Sequence, residues 1–185
     1  MGEMKSARDI AMEKAGRLDK LTPEELQKRK QEDIELHGHG LATKYIDGAS
    51  IKELEDNLLR LEAEGKKGVV NAAISKLVES ITFQEENTTE RCIKAIVHLI
   101  HEEEAKAAMD QLKELLSQYV SAKSKKLQEI DASGRNMLHQ RRISGSAIGS
   151  FNWKLNPEWK SIMEELELPY QNNLDVLKQQ VLRHL

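Results

Sequence analysis

The chain has 185 residues, with 28 basic and 31 acidic side chains, so its formal net charge is −3. Apolar residues make up 39 % and aromatic residues 4 %, and there are only three prolines and ten glycines. No stretch approaches the roughly 18–20 consecutive apolar residues that span a bilayer. Sandwich and nucleotide-binding folds need more β-branched, aromatic and glycine-rich segments. The composition therefore predicts an all-α protein and argues against collagen-like, proline-rich and transmembrane classes.

A single cysteine, Cys92, indicates the compartment in which the protein works. One cysteine cannot form an intramolecular disulfide, and this is typical of proteins in a reducing environment. The first residues also lack the apolar segment of a secretory signal. We therefore expect a cytoplasmic protein with no membrane contact.

The first part of the chain predicts a helical arm over residues 1–48. Ser6 is suited to begin a first helix. Thr22-Pro23-Glu24-Glu25 is a strong start signal for a second helix, because threonine caps free N–H groups and proline suits the first helical position. The second helix is highly charged, and we expect it to end at His37-Gly38-His39-Gly40.

A helical hairpin is predicted over residues 50–83. Ser50-Ile-Lys-Glu53 has the spacing of a capping box, in which serine and glutamate satisfy each other's backbone donors. Apolar residues then recur at three- and four-residue intervals in two stretches, which Gly65-Lys-Lys-Gly68 separates. Because so short a connection brings its two helices side by side, we expect them to lie antiparallel.

One long helix, from about residue 88 to 142, is the dominant predicted element. No glycine or proline occurs between Thr88 and Gly134, so at 1.5 Å per residue the stretch allows about 65–70 Å of helix. Its apolar stripe is weakest at Glu102-Glu-Glu104, where either a bend or one solvated turn is expected. One short neighbour cannot cover such a stripe. The sequence therefore predicts an elongated helical bundle or antiparallel coiled coil, with residues 49–143 as the core domain.

Residues 144–185 are predicted to form a small-residue turn followed by helices. The turn, Ser144-Gly-Ser-Ala-Ile-Gly-Ser150, consists of residues that allow a tight reversal, and Gly145 resists replacement if it needs a positive φ. Asn156-Pro157-Glu158 predicts a helix start. Pro169 is expected to end this helix, and a last helix follows.

Two blocks of the sequence resemble a family of small, uncharacterised helical bacterial proteins. The C-terminal block is ISGSAIGSFNWKLNPEW at residues 143–159, in which an I-S-G-S-A-[IV] turn is followed by an asparagine and a proline–tryptophan helix start. The N-terminal block is KSARDIAMEKAGRLDKLTPEE at residues 5–25. The resemblance implies a bacterial, soluble, helical protein, and it implies no activity.

Candidate catalytic and metal-binding residues are few. His98 and His101, followed by three glutamates, would face a divalent metal if they shared one side of a helix, and His37 with His39 is a second candidate pair. A charged, exposed helix face explains the first pair better, and a glycine-rich helix end explains the second. Cys92 has no neighbouring base and is expected to be a small buried thiol. We therefore predict no catalytic residue, metal or cofactor.

A basic segment over residues 123–142 is the one electrostatic feature that points to a partner. Between residues 123 and 143 the chain carries six basic and two acidic side chains. Such a cluster suits a phosphate backbone or an acidic partner, although basic residues are also favoured at helix C-termini. The candidate residues for an anionic partner are Lys123, Lys125, Lys126, Arg135, Arg141 and Arg142.

The leading functional hypothesis is a non-enzymatic interaction protein that acts as a scaffold, adaptor or chaperone. The uncovered apolar stripe motivates it, and it predicts a homodimer, a protein partner, or both. The alternative is a nucleic-acid-associated protein that uses residues 123–142. A metal-dependent enzyme is the third and least favoured class.

Overall fold

The computed structural model describes residues 22–143, 145 and 148–185, and these residues form helices and turns without a strand. The helices are α1 (Pro23–Ile46), α2 (Ile51–Ala63), α3 (Val69–Glu79), α4 (Glu86–Leu99), α5 (Glu103–Gln140) and α6 (Pro157–Arg183). The predicted all-α class is confirmed. The helix predicted to begin at Ser6 lies outside the described residues. Contacts divide the chain into two compact units, one ending at Lys76 and the other beginning at Leu77.

Helix α1 begins as predicted and ends later. Thr22 Oγ1 accepts a hydrogen bond from the Glu25 N–H (3.2 Å), and Glu25 Oε2 accepts one from the Thr22 N–H (2.9 Å), which completes a capping box. The expected end at His37–Gly40 is wrong, because α1 continues to Ile46. Gly38 is buried, and a Cβ built there would lie 2.6 Å from the Ala72 Cβ. This glycine therefore allows α1 to pack closely on α3, and it does not end the helix.

Helices α2 and α3 occupy the two predicted apolar stretches. The Ser50 hydroxyl caps α2 by accepting from the Glu53 N–H at 3.1 Å. Gly65 and Gly68 in the connection have φ angles of 91° and 93°, which other residues rarely adopt. Helix α2 packs against α1 and contributes Leu54, Leu58 and Leu61 to the core of the first unit. The antiparallel arrangement of α2 and α3 stays a prediction.

The long helix predicted from about 88 to 142 is in fact two helices. Helix α4 ends at Leu99 and α5 begins at Glu103, while Ile100 and Glu102 have extended backbones with ψ of 132° and 130°. Ile100 is buried at 2 % exposure, so the break is held by packing. Glutamates in the first turn of α5 are favoured by the positive end of the helix dipole. The acidic run is therefore a helix start, whereas α5 continues through Gly134 to Gln140.

Helices α5 and α6 form the main contact of the second unit. The sequence predicts that this helix stops at Pro169, but α6 runs from Pro157 to Arg183 with the proline inside it. Buried residues lie on both sides of the proline, so packing against α5 outweighs the roughly 3 kcal/mol that an internal proline costs a helix. The buried residues of the pair are Ala105, Ala108, Met109, Leu112, Leu115, Tyr119, Ile130 and Gly134 on α5 and Met163, Leu174 and Val181 on α6.

Helix α5 ends in a turn centred on Arg142. The Ile143 N–H donates to the Leu138 carbonyl (3.0 Å) and the Arg142 N–H to the His139 carbonyl (2.9 Å), which is a Schellman motif. Arg142 has a φ of 60°, a conformation that glycine usually supplies at this position. At Gly145 a Cβ would meet no atom within 4 Å, so space does not require a glycine there, and its positive φ stays a prediction.

Candidate functional site

An open groove runs along one face of α5 in the second unit. It has a volume of about 1630 Å³ and is bounded by α4, by α5 and by residues 150–153. Its floor consists of α5 positions from Lys113 to Arg135 that recur at three- and four-residue spacing, so they share one side of the helix. At 1.5 Å per residue this side is about 33 Å long. Except for Tyr119, these positions differ from the buried α5 residues.

Apolar side chains form most of the groove surface. Helix α5 contributes Leu116, Val120 and Leu127, and α4 contributes Ile93 and Val97. Val120 is 54 % exposed and Val97 is 39 % exposed. A continuous exposed apolar surface on a protein domain is typical of a place where another molecule associates.

Phe151 and Trp153 form a wall of the groove near the C-terminal end of α5. The Phe151 ring packs directly on Gly134, where a Cβ would lie 2.7 Å from the ring. The same ring meets Trp159 edge to face, with 5.7 Å between the ring centroids. The chain approaches α5 this closely because position 134 has no side chain. A glycine inside the helix therefore positions an aromatic wall.

An aromatic cluster around Tyr119 supports the middle of the groove. The Tyr119 ring centroid lies 4.2 Å from that of Phe83 and 5.4 Å from that of Tyr170. Its hydroxyl donates a hydrogen bond to Glu167 Oε2 at 3.1 Å. Burial raises the pKa of Tyr119 to about 12, and the Glu167 carboxylate adds to the rise because it disfavours the phenolate. Tyr119 is thus a neutral donor near neutral pH.

Asp131 brings a buried acceptor into the groove lining. Its Oδ2 accepts a hydrogen bond from Arg135 Nε at 2.6 Å. Its Oδ1 is buried and has no hydrogen-bond partner among the described residues. An unsatisfied buried acceptor costs about 1–3 kcal/mol, and more when it is charged. Its burial is therefore a local cost to stability at this end of the groove.

The six predicted basic residues differ in their relation to the groove. Lys123 and Arg135 line the groove, and Lys123 Nζ lies 5.4 Å from the centroid of the Tyr119 ring. Lys126 forms an ion pair with Glu129 at 2.6 Å, outside the groove lining. The remaining three are exposed side chains, Lys125, Arg141 and Arg142. Two of the six candidates therefore contribute to the groove, and whether the six bind an anionic partner stays a prediction.

Neither candidate histidine pair contributes to the groove. Helix α4 ends at Leu99, so His98 is helical and His101 is not, and the shared helix face proposed for them does not exist. His37 Nε2 lies 3.1 Å from Lys66 Nζ instead. Within residues 22–143, 145 and 148–185, no group of three or more His, Cys, Asp or Glu side chains is placed to hold a metal ion.

Cys92 lies on the buried side of α4, as a small core residue would. Its thiol is free and 0 % exposed. Burial raises the pKa of Cys92 to about 11, and the nearby cations Arg91 and Lys178 oppose this rise only in part. The neutral thiol therefore predominates near pH 7, which suits packing and not nucleophilic attack.

Sequence patterns did not reveal the groove, although a signal was present. The sequence predicts a single apolar stripe on the long helix, whereas α5 also carries Leu116, Val120 and Leu127 in the groove. These three residues follow the 3.6-residue period on a second side of α5. The sequence signal for the aromatic wall is weaker, because it consists only of Phe151 after a run of small residues.

Comparison with known proteins places the chain in a family. No curated protein and no solved structure matches it significantly. Across the described part of the chain, no helix is both long and apolar enough to cross a membrane. The model of a family of unknown function (DUF6657) matches residues 55–183, which include the groove and the block at 143–159. Since this range is more than half of the chain, the protein belongs to that family of unknown function.

Proposed function

We propose that the protein is a non-enzymatic interaction protein whose groove binds a helix of a protein partner. The observation that carries the proposal is the exposed apolar side of α5, flanked by α4 and by the wall of Phe151 and Trp153. A side about 33 Å long suits a helix of roughly 20 residues. Binding an amphipathic helix in an apolar groove is a common mode of protein recognition. A scaffold, an adaptor or a chaperone would each use such a site.

The polar residues of the groove support recognition of a protein. Asp131 is paired with Arg135, and Lys113 is paired with Asp110 at 2.9 Å. An apolar surface with aromatic side chains and charges at its edge is the usual composition of a protein interface. Such charges set the orientation of a partner more than they add affinity.

The proposal includes a homodimer and a location in the bacterial cytoplasm. The free, buried Cys92 suits a reducing compartment. The bacterial origin rests on the resemblance of the block at residues 143–159. The dimer follows from the need to cover the apolar side of α5.

Replacing Val120 with lysine should abolish partner binding. Val120 is 54 % exposed in the groove, so the lysine disturbs no core and places a charge in the middle of the apolar surface. We expect the partners captured by the tagged protein from nuclease-treated native lysate to fall by about tenfold or more. The captured proteins are measured by quantitative mass spectrometry.

Val176→Lys is the matched control for this experiment. Val176 is a valine on α6 with 56 % exposure, and it does not line the groove. We expect this variant to retain the wild-type partners. If Val120→Lys and the control capture the same partners at the same level, binding occurs elsewhere and the proposal is wrong.

The nucleic-acid alternative stays a prediction, and the nuclease step tests it. Ion pairs with Glu129 and Asp131 already engage Lys126 and Arg135. Nucleic-acid binding predicts partners that disappear on digestion and an affinity that falls steeply with salt. Partners that resist nuclease and respond to Val120→Lys would favour the groove instead.

A further inference from the structure

We propose that the partner helix bound in the groove is acidic on the side that faces α5, with one carboxylate paired to Lys123 and a second paired to Lys113. This inference rests on the proposed function, because it states the chemistry of the partner that the same groove binds. The observation that carries it is the surplus of positive charge on the α5 side of a mostly apolar groove.

Lys123 lies in the middle of the groove and has no carboxylate partner among the residues that the structure describes. The ion pairs on α5 engage Lys106, Lys113, Lys126 and Arg135 instead. Lys123 is partly buried, and its Nζ lies 5.4 Å from the centroid of the Tyr119 ring. The ring attracts the ammonium group but does not neutralise it. A carboxylate of a partner therefore meets a cation that is already held in place.

Lys113 provides a second cation on the α5 side of the groove. It lies ten positions before Lys123, which is about 15 Å along the helix. Lys113 pairs with Asp110, which is outside the groove lining, and these side chains are 43 % and 75 % exposed. Because an exposed ion pair adds little stability, Lys113 can exchange Asp110 for a carboxylate of the partner at little cost. A helix with two carboxylates about three turns apart meets both lysines.

The remaining charges of the groove lining are offset within the chain itself. Asp131 is paired with Arg135 at 2.6 Å. Glu86 lies in the first turn of α4, where the helix dipole favours a negative charge. Glu90 precedes Lys94 on α4 by four residues, a spacing at which opposite charges attract each other. The two lysines of α5 are therefore the charges that select a partner.

The apolar residues between the lysines favour a helix over a nucleic acid as the acidic partner. Leu116 and Val120 lie between Lys113 and Lys123 in the chain, and all four residues line the groove. An amphipathic helix covers the leucine and the valine while its carboxylates reach the lysines. A phosphate backbone contacts the lysines but offers no apolar side to cover the other two residues.

Two designed peptides test this preference. Both are amphipathic helices of about 20 residues with leucines along one side. One carries two glutamates at the edge of that side, about three turns apart, and the other carries lysines at the same two positions. In fluorescence anisotropy at low salt, we expect the wild-type protein to bind the glutamate peptide about tenfold tighter or more than the lysine peptide. The difference should shrink as added salt screens the charges.

Reversing the charge at position 123 should reverse the preference. We expect K123E to raise the Kd of the glutamate peptide by about tenfold or more and to lower the Kd of the lysine peptide. K125E is the matched control, because Lys125 is an exposed lysine of α5 outside the groove lining. It should leave both Kd values unchanged within about twofold. Circular dichroism confirms that each variant is folded.

Equal affinity of the wild type for the two peptides overturns the inference. A K125E variant that behaves like K123E also overturns it, because the effect then comes from net charge and not from the groove. An oligonucleotide that binds more tightly than the glutamate peptide, and loses this binding in K123E, does the same.

These failures are distinct from a failure of the proposed function. If both peptides bind equally and Val120→Lys abolishes both, the groove remains the binding site and only its charge preference is wrong. If neither peptide binds, the inference is wrong, and the capture of partners by Val120→Lys and its control still decides the proposed function.

Discussion

Two glycines of α1 differ sharply in what surrounds them. A Cβ at Gly38 would lie 2.6 Å from the Ala72 Cβ and 2.7 Å from the Val69 carbonyl oxygen, whereas a Cβ at Gly40 would meet nothing within 4 Å. Backbone atoms cannot move aside as a flexible side chain can. Gly38 is therefore required for packing, and Gly40 only weakens its helix.

Gly38→Ala and Gly40→Ala should change the free energy of unfolding in opposite directions. Gly38→Ala forces α1 away from α3, and we expect the free energy of unfolding to fall by about 1–3 kcal/mol. Gly40→Ala adds a better helix former at an open position, and the free energy of unfolding should rise by up to about 1 kcal/mol. Urea denaturation measures both variants. Equal effects of the two substitutions would mean that α1 and α3 are not in close contact.

Arg142 holds a backbone conformation that a side chain disfavours. Its φ of 60° puts it in the left-handed region at the end of α5. Arg142→Gly should therefore raise the free energy of unfolding by about 1 kcal/mol, because glycine adopts this region without steric cost. Thermal or urea denaturation gives the measurement.

Arg141→Gly separates this backbone effect from the loss of one positive charge. Arg141 precedes Arg142 and has an ordinary φ of −86°. Its replacement by glycine should give no gain in stability and a small loss. If both glycine variants behave alike, the strain at Arg142 does not contribute to stability.

At the scale of whole elements, packing decides where a helix breaks and where it continues. The chain leaves the helical conformation at Ile100 without a glycine or proline, and this side chain is buried. Helix α6 does the reverse and continues through Pro169. In both places the contacts of the second unit outweigh the local preference of the residues for helix or turn.

Pro169→Ala should stabilise α6. Alanine restores the backbone donor and removes the clash of the proline ring, so we expect the free energy of unfolding to rise by about 1–3 kcal/mol. Pro157→Ala is the control, because Pro157 occupies the first turn, where proline is well tolerated. Denaturation should show no gain for the control. A loss of stability in Pro169→Ala would mean that a bend at this proline is needed to place Tyr170 in the aromatic cluster.

At the scale of the whole molecule, α5 carries two apolar sides. One packs against α6 within the second unit, and the other forms the floor of the groove. Exposing a second apolar side of a helix to water is unfavourable, so a molecule that covers this side gains binding free energy. The proposed interaction function rests on this feature. The elongated bundle expected from the sequence stays a prediction.

Helix class and several helix starts were determined by the sequence itself. Helices begin at the predicted caps Thr22, Ser50 and Asn156. The sequence is sufficient here because a cap depends only on residues two or three positions away. The composition also determined the all-α class, since few residues favour strands or tight glycine turns. Local chemistry was sufficient for these features.

Only the tertiary structure decided where the helices end and where the candidate site lies. Gly38 lies inside α1, and Ile100 breaks a stretch with no helix breaker, because of contacts with residues far along the chain. The groove likewise needs Gly134 and Phe151, which are distant in sequence, to meet beside the apolar side of α5. Periodicity identifies an apolar residue on a helix, but the fold decides whether that residue is covered. The physical reason is that burial depends on neighbours in space, which a local pattern does not contain.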